Sequence, residues 1–137
     1  MVVPLFHVLA WGIPYFGAMN GLKLVMPGMQ MEGEPLYELI DQEDVTLAFG
    51  VPTIWMGLLA YCRENNKILT SVRNTIIGGS ALSLATLQEF DEVHDVNVIH
   101  AWGMTEMSPL GTTTVPTPEM ENMSKEEKYA VQLKQGR

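Results

Sequence analysis

Short apolar runs alternate along this chain with longer segments whose apolar residues recur at helical spacing. The runs predicted as strands are Val2–Phe6, Leu22–Met26, Val45–Phe49, Thr75–Ile77 and Val96–Ile99. Most are β-branched or leucine-rich, bounded by Gly, Pro or Asp, and apolar on both faces, as in a buried parallel sheet. Between them, Val8–Met19, Pro35–Gln42, Thr53–Arg63 and Ser83–Val93 are predicted helices. In the last, Leu84, Leu87, Phe90 and Val93 recur at every third position behind Ser83, whose hydroxyl suits a cap. Pro35 suits a first helical position, where its missing N–H costs nothing. Beyond Thr112, "TVPTPEMENM" is a loop, and Ser124 to Glu127 forms a capping box that opens a short polar helix. Strand–helix alternation of this kind predicts an α/β fold: a mainly parallel sheet of about five strands with helices on its faces.

Composition changes this picture little. The chain has 137 residues, 47% of them hydrophobic, enough for one packed unit. A net charge of −8 opposes binding to nucleic acid or an anionic membrane surface, but not to one phosphate compound held by amides and a metal. The single cysteine, Cys62, excludes an intrachain disulfide and fits a reducing, cytoplasmic setting. The first 22 residues lack Lys, Arg, Asp and Glu, so a membrane span has to be weighed. Pro4, Gly12, Pro14, Gly17 and Gly21 would break such a helix repeatedly, and the basic leader of a signal peptide is missing. The segment is read instead as strand, turn and helix.

In a parallel sheet all strand C-termini share one edge, where ligands bind. Four predicted strands end there in suggestive chemistry: at His7, at Gly50 to Thr53, at Gly78-Gly79-Ser80-Ala81, and at Trp102-Gly103-Met104-Thr105-Glu106. Paired glycines let a ligand approach backbone amides, although an ordinary strand-to-helix turn uses them too. Thr105 can donate to a phosphate oxygen, Glu106 suits Mg²⁺, Gly103 permits close approach and Trp102 offers a flat face to a base. Equally, Thr-Glu can open a turn with both side chains solvated. His7 reads as a ligand contact, a general base or a core histidine, and Trp11, four residues on, as core. His94 and His100 form no metal-ligand spacing with Cys62. No dinucleotide fingerprint, Walker phosphate loop or G-x-S-x-G turn occurs.

Taken together, "VVPLFHVLAWGIPY", "GLKLVMPG", "VTLAFGVPTIW", "TIIGGSAL" and "HAWGMTEMSP" resemble, in order and spacing, the adenylate-forming acyl-CoA synthetases. The likeness covers essentially the whole chain and is strongest to the ligases of medium- and long-chain fatty acids. It implies that Trp102, where the family usually has tyrosine, lies against adenine and that Thr105 meets the nucleotide phosphates. Glu106 would hold Mg²⁺, while Gly78 to Ala81, with Gly103 and Met104, would line the adenylate. His7 would sit beside the acyl carboxylate, and Trp11, with Gly79 and Ser80, along the acyl tunnel. Thr105, Glu106 and His7 are the expected catalytic residues.

The implied substrates are a fatty acid, ATP and CoA. The family's phosphate loop, ribose-binding aspartate and lysine-bearing C-terminal domain have no counterpart here. Residues 1–137 are therefore expected to be an internal fragment of the AMP-binding domain, inactive alone and partnered by the remainder of the synthetase. A homodimer or peripheral membrane contact is compatible with this reading; a membrane span and nucleic acid are not expected. Alternatives are a ligase for an aryl or short-chain acid and a noncatalytic nucleotide-binding remnant.

Overall fold

The computed structural model describes residues 2–135; Met1 and Gly136-Arg137 lie outside them. Strands β1 (Leu47–Gly50), β2 (Asn74–Ile77) and β3 (Asn97–Gly103) pair in parallel in that order, and β4 (Leu110–Thr113) joins β3 antiparallel. Six helices accompany them among the described residues: α1 (Val8–Trp11), α2 (Ile13–Met19), α3 (Gly33–Gln42), α4 (Pro52–Asn65), α5 (Leu84–Glu92) and α6 (Lys125–Gln132). Single 3₁₀ turns lie at Thr105–Met107 and Pro118–Asn122. The expected α/β fold with a mainly parallel sheet is what forms.

Register explains which sheet face is closed. Ala48, Thr75 and Val98 stand side by side across the three parallel strands, as do Gly50, Ile77 and His100, and all six are buried. Against them pack Trp55, Leu58, Leu59 and Cys62 of α4, Leu87 and Phe90 of α5, Leu36 and Ile40 of α3 and Tyr129 of α6, in one cluster. Trp55 and Phe90 meet edge to face at 6.1 Å, a favoured aromatic geometry. The alternate strand residues Leu47, Phe49, Ile76 and Ile99 are only half-buried, so the second face of the sheet is partly open.

Several expectations need correction. Val2–Phe6 is no strand. Val2 donates to the Phe49 carbonyl at 3.1 Å, but Pro4 cannot donate to a ladder, and a turn from Pro4 to His7 follows. Residues 22–26 also form no strand, and Leu22, Leu24 and Met26 stay exposed. The predicted helix Val8–Met19 breaks in two at Gly12, whose φ of 74° follows left-handed Ala10 and Trp11. Helix α3 starts earlier than expected, so Pro35 is its third residue, still in the first turn where no N–H is needed. The loop after Thr112 contains a 3₁₀ turn. Strand β3 does not end at Ile99 but continues through His100, Ala101, Trp102 and Gly103, because β4 offers a partner beyond the end of β2.

The local caps formed as read. Ser83 Oγ accepts the Thr86 N–H at 3.1 Å. The Ser124 box closes both ways, at 3.2 Å from Glu127 N–H and 2.8 Å from Ser124 N–H to the Glu127 carboxylate.

Candidate functional site

The carboxyl ends of β1, β2 and β3 open on a cleft of about 450 Å³. Its floor comes from the half-open sheet face, through Phe49, Ile76 and Ala101. Gly78 and Gly79, directly after β2, form one side, and His7 and Trp11 close another. The opposite wall is a single stretch, Trp102 through Glu106, completed by Pro109, Leu110 and Thr113.

Each wall has a local cause. A side chain at Gly78 would fall 2.9 Å from the Ala101 carbonyl and 3.4 Å from the tip of Trp11, so glycine lets β3 and the indole close in. Gly79 has φ of 87°, which favours glycine, and the Val51 side chain lies 3.1 Å from where its Cβ would be. At Gly103 a Cβ would overlap the Pro109 carbonyl oxygen. That oxygen instead accepts the Met104 N–H at 2.9 Å. The close approach at Gly103 is therefore made by the chain's own backbone, which folds Thr105 and Glu106 into an exposed 3₁₀ turn. Ser108, left-handed at φ of 58° and followed by a cis peptide bond to Pro109, turns the chain back into β4.

The structure thus brings together His7, Trp11, Gly78, Gly79, Trp102, Gly103, Met104, Thr105 and Glu106. Ser80 and Ala81 are exposed and do not line the cleft. His7 is reached from a turn and not from a strand end, and it is exposed. Phe49 and Ile76 were not foreseen as site residues, although both stand on one sheet face by strand parity. Leu110 and Thr113 carried no signal, since β4 is short and lacks apolar alternation.

Glu106 is an exposed carboxylate on the cleft wall, and no group of three His, Cys, Asp or Glu gathers among the described residues. A lone carboxylate completed by phosphate oxygens and water is a donor set that Mg²⁺ accepts, so the site fits that ion when nucleotide is present. Acid–base groups displaced from their ordinary range lie elsewhere, Cys62 and His94 among them. Burial pushes the Cys62 thiol up to about 11, and burial lowers the His94 imidazole. No described helix is long and apolar enough to cross a membrane.

Comparison with known proteins agrees with this fold. The pattern of the family described as AMP-binding enzyme matches residues 1–133. The chain is 48% identical to a 3-methylmercaptopropionyl-CoA ligase of Ruegeria lacuscaerulensis, over 99% of this chain and 25% of that protein. It is 46% identical to a medium-chain-fatty-acid–CoA ligase of Ectopseudomonas oleovorans, with the same coverage. It therefore spans a quarter of the length of these relatives. It also superposes on o-succinylbenzoate coenzyme A synthetase of Bacillus subtilis, solved in complex with ATP and magnesium ion. That match has a TM-score of 0.71 and 26% identity, over 88% of this chain and 24% of the other. With the family pattern running through nearly every residue, the chain belongs to the AMP-binding enzymes, the adenylate-forming acyl-CoA ligases.

Proposed function

We propose that this chain is an internal part of the AMP-binding domain of a fatty-acid–CoA ligase, and that its cleft holds the nucleotide and the acyl carboxylate. The observation that carries this reading is the convergence of His7, Gly78, Gly79, Trp102, Thr105 and Glu106 on one cleft at the carboxyl edge of the sheet. In the reaction, a carboxylate oxygen attacks the α-phosphorus of ATP, and the bond to the bridging oxygen breaks to release pyrophosphate. The thiol of CoA then attacks the acyl carbon, loses its proton and expels AMP.

The residues mainly position and neutralise charge, which is most of what phosphoryl chemistry requires of a protein. The Thr105 hydroxyl donates to a phosphate oxygen, and the exposed backbone at Gly79 accepts the close approach of the adenylate. Trp102 gives its flat face to adenine. His7 sits beside the acyl carboxylate, and the apolar floor of Phe49 and Ile76 with Trp11 receives the start of the acyl chain. Glu106 would hold Mg²⁺, which when bound offsets phosphate charge. The phosphate loop and the lysine-bearing domain belong to the remainder of the ligase.

Glu106→Gln in the complete ligase keeps shape and removes charge. Adenylation is expected to slow by roughly a hundredfold, about 3 kcal/mol, while thioester formation from supplied acyl-AMP suffers much less. Equal losses in both half-reactions would mean that Glu106 only holds its turn together. A second reading, a ligase of a shorter acid, is favoured by the 48% identity to the methylmercaptopropionyl relative. Specificity constants for a medium-chain fatty acid, 3-methylmercaptopropionate and an aryl acid decide between the two.

A further inference from the structure

Trp102 faces the cleft from β3, but its far edge is held by a residue that does not line the cleft. Along β4, Thr112 stands opposite Trp102 and Leu110 opposite Gly103, so Gly111 is the extra residue of a β-bulge. Bulges re-aim neighbouring side chains, and this one places Gly111 against the indole. A Cβ on Gly111 would lie 2.6 Å from both Cε3 and Cζ3 of Trp102 and 2.9 Å from the Met107 sulfur. Real Cβ atoms do not come so close, so any side chain there must displace the benzo edge of the indole.

The backbone does not itself require glycine here, because Gly111 is not among the residues with positive φ. Space does. Gly111 opens on a separate hollow beside the cleft, with Thr112, Thr114 and Val131. Trp102, by contrast, is 41% exposed and forms part of the cleft wall. The ring is therefore seated on one side and free on the other.

We propose that Gly111 is a positioning residue for the nucleotide. Its missing side chain is the seat that fixes the plane of Trp102, so residues 102 and 111 form a size-matched pair that sets the clearance left for the purine. A smaller ring at 102 would tolerate a side chain at 111. This rests on the reading of Trp102 as the face for adenine.

The test uses the complete ligase carrying this segment, in four forms: the parent, Gly111→Ala, Trp102→Tyr and the double variant. Fatty-acid-dependent exchange of pyrophosphate into ATP gives kcat and the KM values for ATP and acid. In the tryptophan background, Gly111→Ala is expected to raise the KM for ATP about tenfold, within the range of a lost base–aromatic stack. The kcat and the KM for acid should change less than about twofold. In the tyrosine background the same substitution should change the KM for ATP less than about twofold. Equal factors in both backgrounds, or a fall in kcat with KM unchanged, would overturn the pairing. If Gly111→Ala does not fold, a folded and active double variant supports the pairing and an unfolded one overturns it. Trp102→Ala separates the underlying reading. If it leaves the KM for ATP unchanged, the adenine face is wrong and the proposal falls with it; if it raises that KM, additivity in the four-form set defeats the pairing alone.

Discussion

His94 is 4% exposed, accepts the Leu69 N–H on Nδ1 at 3.3 Å and leaves Nε2 without a partner. Burial favours the neutral ring and lowers its pKa below the ordinary 6.5, with Glu89 pulling the other way. The unfolded chain therefore binds the proton more readily, so this contribution to stability is full above 6.5 and is lost as pH falls through the lowered value. The urea midpoint of the dilute chain should fall between neutral pH and about pH 5, and His94→Asn should flatten that acid branch. An unchanged slope in the variant would assign the acid sensitivity to other groups. The sequence announced only that His94 and His100 lack metal spacing. Their partners are distant: the Leu69 N–H for one, and for the other the Gln132 carbonyl, which stands 3.2 Å from His100 Nδ1. Pairings across 25 and 32 residues are decided by packing, and no local pattern contains them.

At the scale of elements, helix ends were legible and helix faces only partly so. A cap is local chemistry: Ser83 meets an N–H three residues away, whatever surrounds it. Ser83→Ala should destabilise the chain by about 1 kcal/mol and Ser83→Gly by only a few tenths, read as shifts in the thermal midpoint. Equal shifts for the two would mean that the hydroxyl matters through its contact with Thr86 and not as a cap. The apolar stripe of α5 was drawn too long. Positions three apart step back about 60° around a helix, so a run of four sweeps off the buried face at both ends. Leu87 and Phe90 are accordingly buried, while Leu84 and Val93 are 45% and 52% exposed. Strands failed for a different reason. An apolar run marks a face to be covered, but a strand also needs a neighbour with free backbone groups. Residues 22–26 had the first without the second, whereas Leu-Gly-Thr-Thr became β4 with hardly any apolar signal.

On the whole molecule, large exposed apolar side chains concentrate in residues 5–29, where Phe6 is 90%, Met19 85% and Met29 95% exposed. Large apolar side chains left in water at this density favour association. The 137-residue chain by itself should therefore self-associate as its concentration rises, and light scattering that stays monomeric throughout would contradict this. The sequence alone determined the α/β class, the three parallel strands, both serine caps and the motifs carried to the carboxyl edge. The strands, caps and motifs follow from spacing and chemistry within a dozen residues, and the class from their alternation along the chain. Tertiary structure alone decided that β3 runs on through Trp102, that β4 receives it, that Phe49 and Ile76 form the cleft floor and that Gly111 seats the indole. Ladder partners and steric clearances belong to pairs of segments, and such quantities exist only once both segments are in place.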